Sequence, residues 1–122
     1  MPSERRDTFR VRPATREPIT VQLISAGVLE MGELTDVSEG GMGLRVTTAG
    51  LELVGAEVEL LIGFPGSAGV YAKGIVKRLR TDDGCVLGIQ FVDLPAKALD
   101  GIRNYVSARG QRHSGNFRVS GG

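Results

Sequence analysis

The chain contains no tryptophan, one cysteine, one histidine, four phenylalanines and two tyrosines in 122 residues. Each shortage closes off a class of function. A lone Cys85 excludes an internal disulfide. Cys85 in an apolar segment and His113 in a polar one form neither a metal cluster nor a nucleophile and base pair, so no catalytic residue and no metal ligand is assigned and the chain is read as not an enzyme. Nothing approaches the roughly 20 consecutive apolar residues that cross a bilayer, so no membrane insertion is expected. The opening MPSERRD has no apolar run of the kind a signal peptide carries, and the expected compartment is the reducing cytoplasm. A surplus of positive charge is lacking too: the net charge is +1, which argues against a nucleic-acid partner held by bulk electrostatics.

What is abundant is glycine, with 18 residues, beside five prolines and 41% hydrophobic content. A chain of this size supports one domain with one modest core, and its many turn formers favour short strands. Residues 1–18 are polar and arginine-rich, with no apolar periodicity, and read as a flexible basic arm. From Ile19 the pattern alternates: residues 19–25 through Ile19, Val21 and Leu23, residues 28–38 through Leu29 and Met31, and residues 42–47 through Met42, Leu44 and Val46. EVELLIG at 57–63 and VYAKGIVKRL at 70–79 flank the Pro65–Gly69 turn signal, and Asp82-Asp83-Gly84 precedes CVLGIQFV at 85–92. Six strands with little else point to a small, mainly β barrel. After Pro95, Leu99, Ile102 and Val106 recur at helical spacing with Tyr105 beside them, predicting one C-terminal helix despite Gly101. Residues 109–122 are polar and glycine-rich and are expected to be a disordered tail.

Two short patterns stand against this layout. Arg6-Asp7-Thr8-Phe9-Arg10 has the form RxxxR just before the first strand, and Asp36-Val37-Ser38-Glu39-Gly40-Gly41 has the form DxSxxG between strands two and three. The pair, in this order around six strands, resembles the PilZ domain. The resemblance covers roughly residues 4–108, with Ala72-Lys73-Gly74-Ile75-Val76 and Gly88-Ile89-Gln90-Phe91-Val92-Asp93-Leu94 similar in character to later family segments. It implies a six-stranded antiparallel barrel over 19–108 closed by the helix. It also implies a cytoplasmic receptor for the bacterial second messenger cyclic di-GMP.

The residue chemistry suits that ligand, which carries two guanines and two phosphates. Arg6 and Arg10 offer planar forks of donors for phosphate oxygens or the O6 and N7 edge of guanine. Asp36 can accept from the opposite, donor edge. Ser38 can hold the turn or bond the base, while Gly40 and Gly41 would allow positive φ and close approach of the ligand. Arg5, just before the motif, is associated by the resemblance with an intercalated pair of ligands, which implies two cyclic di-GMP molecules per chain. The arm is expected to close over the ligand and so present a changed surface to a downstream protein that the sequence does not name. Two other readings stand beside this one. One is a nucleotide-independent PilZ-like adaptor, for example in motility or pilus regulation. The other, the weakest, is a DNA-contacting regulator using the arm or Arg103, Arg109, Arg112 and Arg118.

Overall fold

The computed structural model describes residues 10–47, 53–81 and 84–121, with side chains as far as residue 110. Six strands appear where the alternation placed them: β1 Thr20–Ser25, β2 Val28–Val37, β3 Gly41–Val46, β4 Glu57–Ile62, β5 Val70–Arg80 and β6 Cys85–Val92. All pairings are antiparallel, and the order β1-β2-β3-β6-β5-β4 closes on itself through β1 and β4. Closure leaves no edge strand among the described residues, so a barrel this small satisfies its ladder internally. Turn chemistry sets the corners. Ala26 and Gly27 both have positive φ, 51° and 80°, and form the two-residue loop that joins Ser25 to its partner Val28.

The core is built by period-two burial. Val21 and Leu23, Val58, Leu60 and Ile62, Met42 and Leu44, and Leu87 and Ile89 all point inward. Two strands break the period. In β2 the inward residues are Leu34 and Val37, three apart, and the register against β3 shifts between Leu34 and Asp36. In β5 Val76 is inward and Leu79 packs against the core three residues later, with a shift against β6 between Val76 and Arg78. A bulge inserts one residue and reverses the facing of everything after it. Strict alternation would have carried Asp36 and Arg78 into the core; the bulges turn both outward.

Helix α1, Ala96–Gly121, begins directly after Pro95. It buries Ala98, Ile102 and Val106, with Leu99 only half-buried, so the core-facing stripe is turned from the Leu99-Ile102-Val106 line expected from spacing. Gly101 explains the shift. A Cβ there would come within 2.6 Å of Val70 Cγ2, so glycine lets the helix settle against β5. Tyr105 stacks on Phe64, with ring centroids 4.6 Å apart. The helical backbone continues to Gly121, beyond the point near residue 108 where a disordered tail was expected; no proline follows Pro95 to interrupt its hydrogen bonds. No helix among the described residues is long and apolar enough to cross a membrane.

Two further expectations are corrected. Leu29 and Met31 are 56% and 50% exposed. Residues 28–31 pair with β1 but lie beyond the end of β3, and register places Leu29 opposite Ile24 and Met31 opposite Gln22, on the outward face. The arm is also not wholly free of the barrel. Val11 is buried and exchanges two 3.0 Å backbone hydrogen bonds with Val37, so the attachment begins eight residues before Ile19. A single apolar residue has no periodicity to reveal it, yet one bridge and one buried side chain suffice to anchor the strand.

Candidate functional site

The site forms where this anchored segment crosses the end of β2. The Val11–Val37 bridge fixes the backbone beside Asp36 and Ser38, and Arg10 is thereby delivered to both. Its Nη1 donates to Ser38 Oγ at 3.3 Å, and its Nη2 donates to Asp36 Oδ1 at 3.4 Å, which is also an ion pair. The second arginine of RxxxR and the first two side chains of DxSxxG therefore meet in one cluster although 26 and 28 residues separate them. Guanidinium has five N–H donors and carboxylate two oxygens, so this bridge leaves capacity on both for a ligand. The Arg10 and Asp36 side chains are 39% and 30% exposed, open enough to be reached from solvent.

Ser38 serves as the hinge of the loop. It is the only buried polar or charged residue among those described. Its Oγ accepts from Gly40 N at 3.2 Å and donates to Gly41 O at 3.5 Å, while its own N–H donates to Gly41 O at 2.8 Å. One small hydroxyl thus satisfies a tight turn from inside and presents the same oxygen to Arg10. Gly40 ties the loop to β6 through Phe91 N, which donates to its carbonyl at 2.9 Å. Neither Gly40 nor Gly41 has positive φ, contrary to expectation. At Gly41 the requirement is steric: a Cβ would collide with the carbonyl oxygen of Ile89, across the β3–β6 pairing. This contact was invisible in sequence because β3 and β6 are neighbours only after the barrel closes.

Arg5 and Arg6, assigned to the same site, lie outside the described residues. Asp36, Ser38, Gly40, Gly41 and Arg10 are brought together. Two cross-links lead from this cluster to the helix. Arg103 Nε pairs with Glu39 Oε1 at 3.2 Å, and Arg109 Nε donates to Arg12 O at 2.7 Å. Two of the four arginines considered for DNA contact are thus engaged within the chain. Reasoning from motifs missed Glu39 and Arg12 because each is coupled to the site by a partner more than sixty residues away.

Comparison with known proteins places this geometry. The family model for the PilZ domain matches residues 4–108. A sequence search of curated proteins gave no match. Among solved structures, the chain is similar to the PilZ domain of YcgR from Escherichia coli, solved with c-di-GMP. The TM-score is 0.70 at 15% identity, covering 89% of this chain and 94% of that one. It is similar to the inhibitor of motility MotI/DgrA of Bacillus subtilis, with TM-score 0.72 at 15% identity, covering 84% of this chain and 50% of that one. The K. pneumoniae MrkH complex with c-di-GMP gives TM-score 0.73 at 15% identity, covering 88% of this chain and 53% of that one. The chain therefore spans about half the length of the latter two. The family match over the barrel and both motifs, joined to a closed six-stranded fold shared with these structures, establishes that this chain belongs to the PilZ domain family.

Proposed function

We propose that this chain is a cyclic di-GMP receptor that passes ligand occupancy to a protein partner. The observation that carries the reading is Arg10 bridging Asp36 and Ser38, since it brings cationic donors and a carboxylate acceptor onto one exposed surface, held from beneath by the buried Ser38 hydroxyl. Guanine needs both an acceptor and donors along its edges, and the phosphates need cations; a simple basic patch supplies only the second. Arg5 and Arg6 are assigned to the same ligand as further forked donors. Titration calorimetry of the 122-residue chain with cyclic di-GMP tests the reading directly. Saturable heat with c-di-GMP and none with cyclic di-AMP is the expected outcome, and absence of heat with either refutes the receptor.

The same titration counts ligands. Two molecules bring four phosphate charges into one site, and a third guanidinium at Arg5 would offset part of that repulsion while stacking on a guanine face. We expect two ligands per chain, with Arg5→Leu shifting the count toward one while Arg6, Arg10 and Asp36 retain affinity. A count of one for the unmodified chain would refute this role for Arg5.

Transmission runs through the attached arm and helix. Ligand drawn to Arg10 and Asp36 competes for the donors that now link them, and the neighbouring ties Glu39–Arg103 and Arg12–Arg109 carry that change to α1. Hydrogen exchange separates the parts of this mechanism. Val11 N is bonded to Val37 O, so its amide should exchange slowly before ligand is added, whereas slowing at residues 4–9 is expected only with ligand. Equal exchange at residues 4–9 in both states would exclude the closing arm. A nucleotide-independent adaptor is the second reading. It is favoured by the exposed apolar row Met31, Leu61 and Tyr71, which register aligns through Gln22 on the outer face of β2, β1, β4 and β5.

A further inference from the structure

The bulges in β2 and β5 aim two charged residues at one another across the outside of the barrel. Asp36 pairs with Gly43, Gly43 with Gly88, and Gly88 with Arg78, one continuous row through β2, β3, β6 and β5. Asp36 and Arg78 each follow a bulge, and without either bulge its side chain would face the core. The two residues between them are glycines, so the floor of the row has no side chains of its own, and the row spans roughly 14 Å at three strand spacings.

A neighbouring side chain lies over each glycine. A Cβ on Gly43 would collide with Thr35 Oγ1 and lie 2.8 Å from Asp36 Oδ1; one on Gly88 would lie 3.1 Å from Arg78 Cγ and 3.2 Å from its Nε. Arg78 therefore lies along the floor towards the Arg10–Asp36 cluster. A single groove is lined by Arg10, Asp36, Gly43, Gly88, Arg78 and Arg80. The Arg78 side chain makes no hydrogen bond or ion pair among the described residues, and Thr35 Oγ1, buried at the groove, is without a hydrogen-bond partner there.

The geometry points to Arg78 as a ligand-contacting residue that forms the far wall of the site and takes a phosphate or guanine of the nucleotide held at its near end by Arg10 and Asp36. This rests on the receptor reading. A dinucleotide has two like ends, and a site with cations at one end only would leave the other in water. The groove supplies a second guanidinium across two strands whose facing residues are glycines, a separation that a two-base ligand can bridge.

Calorimetry with cyclic di-GMP on four variants of the full chain tests this. Arg78→Ala should weaken binding on the order of 10-fold with little change in Tm, as expected for loss of one charged contact. Lys77→Ala, which removes the same charge from an exposed neighbour, should change affinity less than about 2-fold. Arg78→Lys should fall between, since an ammonium keeps the charge but lacks the fork. Gly88→Ala should weaken binding while leaving Arg78 in place chemically, because its new methyl group displaces that side chain and fills the floor. It also serves as the reporter if Arg78→Ala lowers stability. Equal affinities for Arg78→Ala, Lys77→Ala and the unmodified chain would overturn the Arg78 contact and leave the receptor standing. An unmodified chain that does not bind overturns both.

Discussion

Arg10→Ala should weaken cyclic di-GMP binding by roughly 5- to 150-fold, the loss of one forked, charged contact of about 1–3 kcal/mol. The free domain should melt almost unchanged. Arg10 and Asp36 are partly exposed, and an ion pair in that setting contributes at most about 1 kcal/mol to folding. The segment carrying Arg10 is anchored by the backbone of Val11, not by the guanidinium, so truncating the side chain leaves the Val11–Val37 bridge intact. Asp36→Ala differs: it should reduce affinity and also cost some stability, because its carboxylate lies beside the bulge and over Gly43. Calorimetry on each variant beside a circular dichroism melt separates binding from folding. Unaltered affinity in Arg10→Ala would remove the cluster from the site.

The second large effect falls on the fold. Gly41→Ala should destabilise the barrel by on the order of 3 kcal/mol and lower Tm by roughly 10 °C. The added Cβ would meet the carbonyl oxygen of Ile89, a backbone atom held in the β3–β6 ladder that cannot rotate aside. Gly41 O also receives the Ser38 N–H and hydroxyl, so any shift of the strand to relieve the collision pulls on the turn that holds Ser38 against Arg10. Affinity should fall together with stability. Gly63→Ala provides the comparison: its Cβ would approach Thr20 O at 3.5 Å, an ordinary contact, and its melt should stay close to that of the unmodified chain. A Gly41→Ala variant as stable as Gly63→Ala would show that β3 and β6 are not held at the separation described.

Arg10 is expected to act on binding, because it lies at the surface with donors to spare. Gly41 is expected to act on folding first and on binding through the turn. Ser38 joins the two, being buried by the loop it closes and bonded to Arg10. Glu39 and Arg12 tie the same region to the helix through Arg103 and Arg109.

Sequence alone determined the six strands and the start of the helix, because both follow from local rules. Gly27 and the Pro65–Gly69 run end strands by their own backbone preferences, with Ala26 held at positive φ against its own, and Pro95 opens α1 by its fixed φ. The two motifs were equally legible, since RxxxR and DxSxxG are contiguous patterns. What they do together was decided by tertiary structure. Arg10 reaches Asp36 and Ser38 only because Val11 bridges to Val37, and Arg78 faces Asp36 only because β3 meets β6 and β6 meets β5. One signal of this was present in the sequence: Leu34 to Val37, and Val76 to Leu79, are core residues spaced by three where a strand requires two. Alternation says that a strand has two faces. It does not say which face is inner, as Leu29 and Met31 show, nor where a bulge exchanges them. That choice is made by register with non-local neighbours, an interaction that exists only once the barrel has closed.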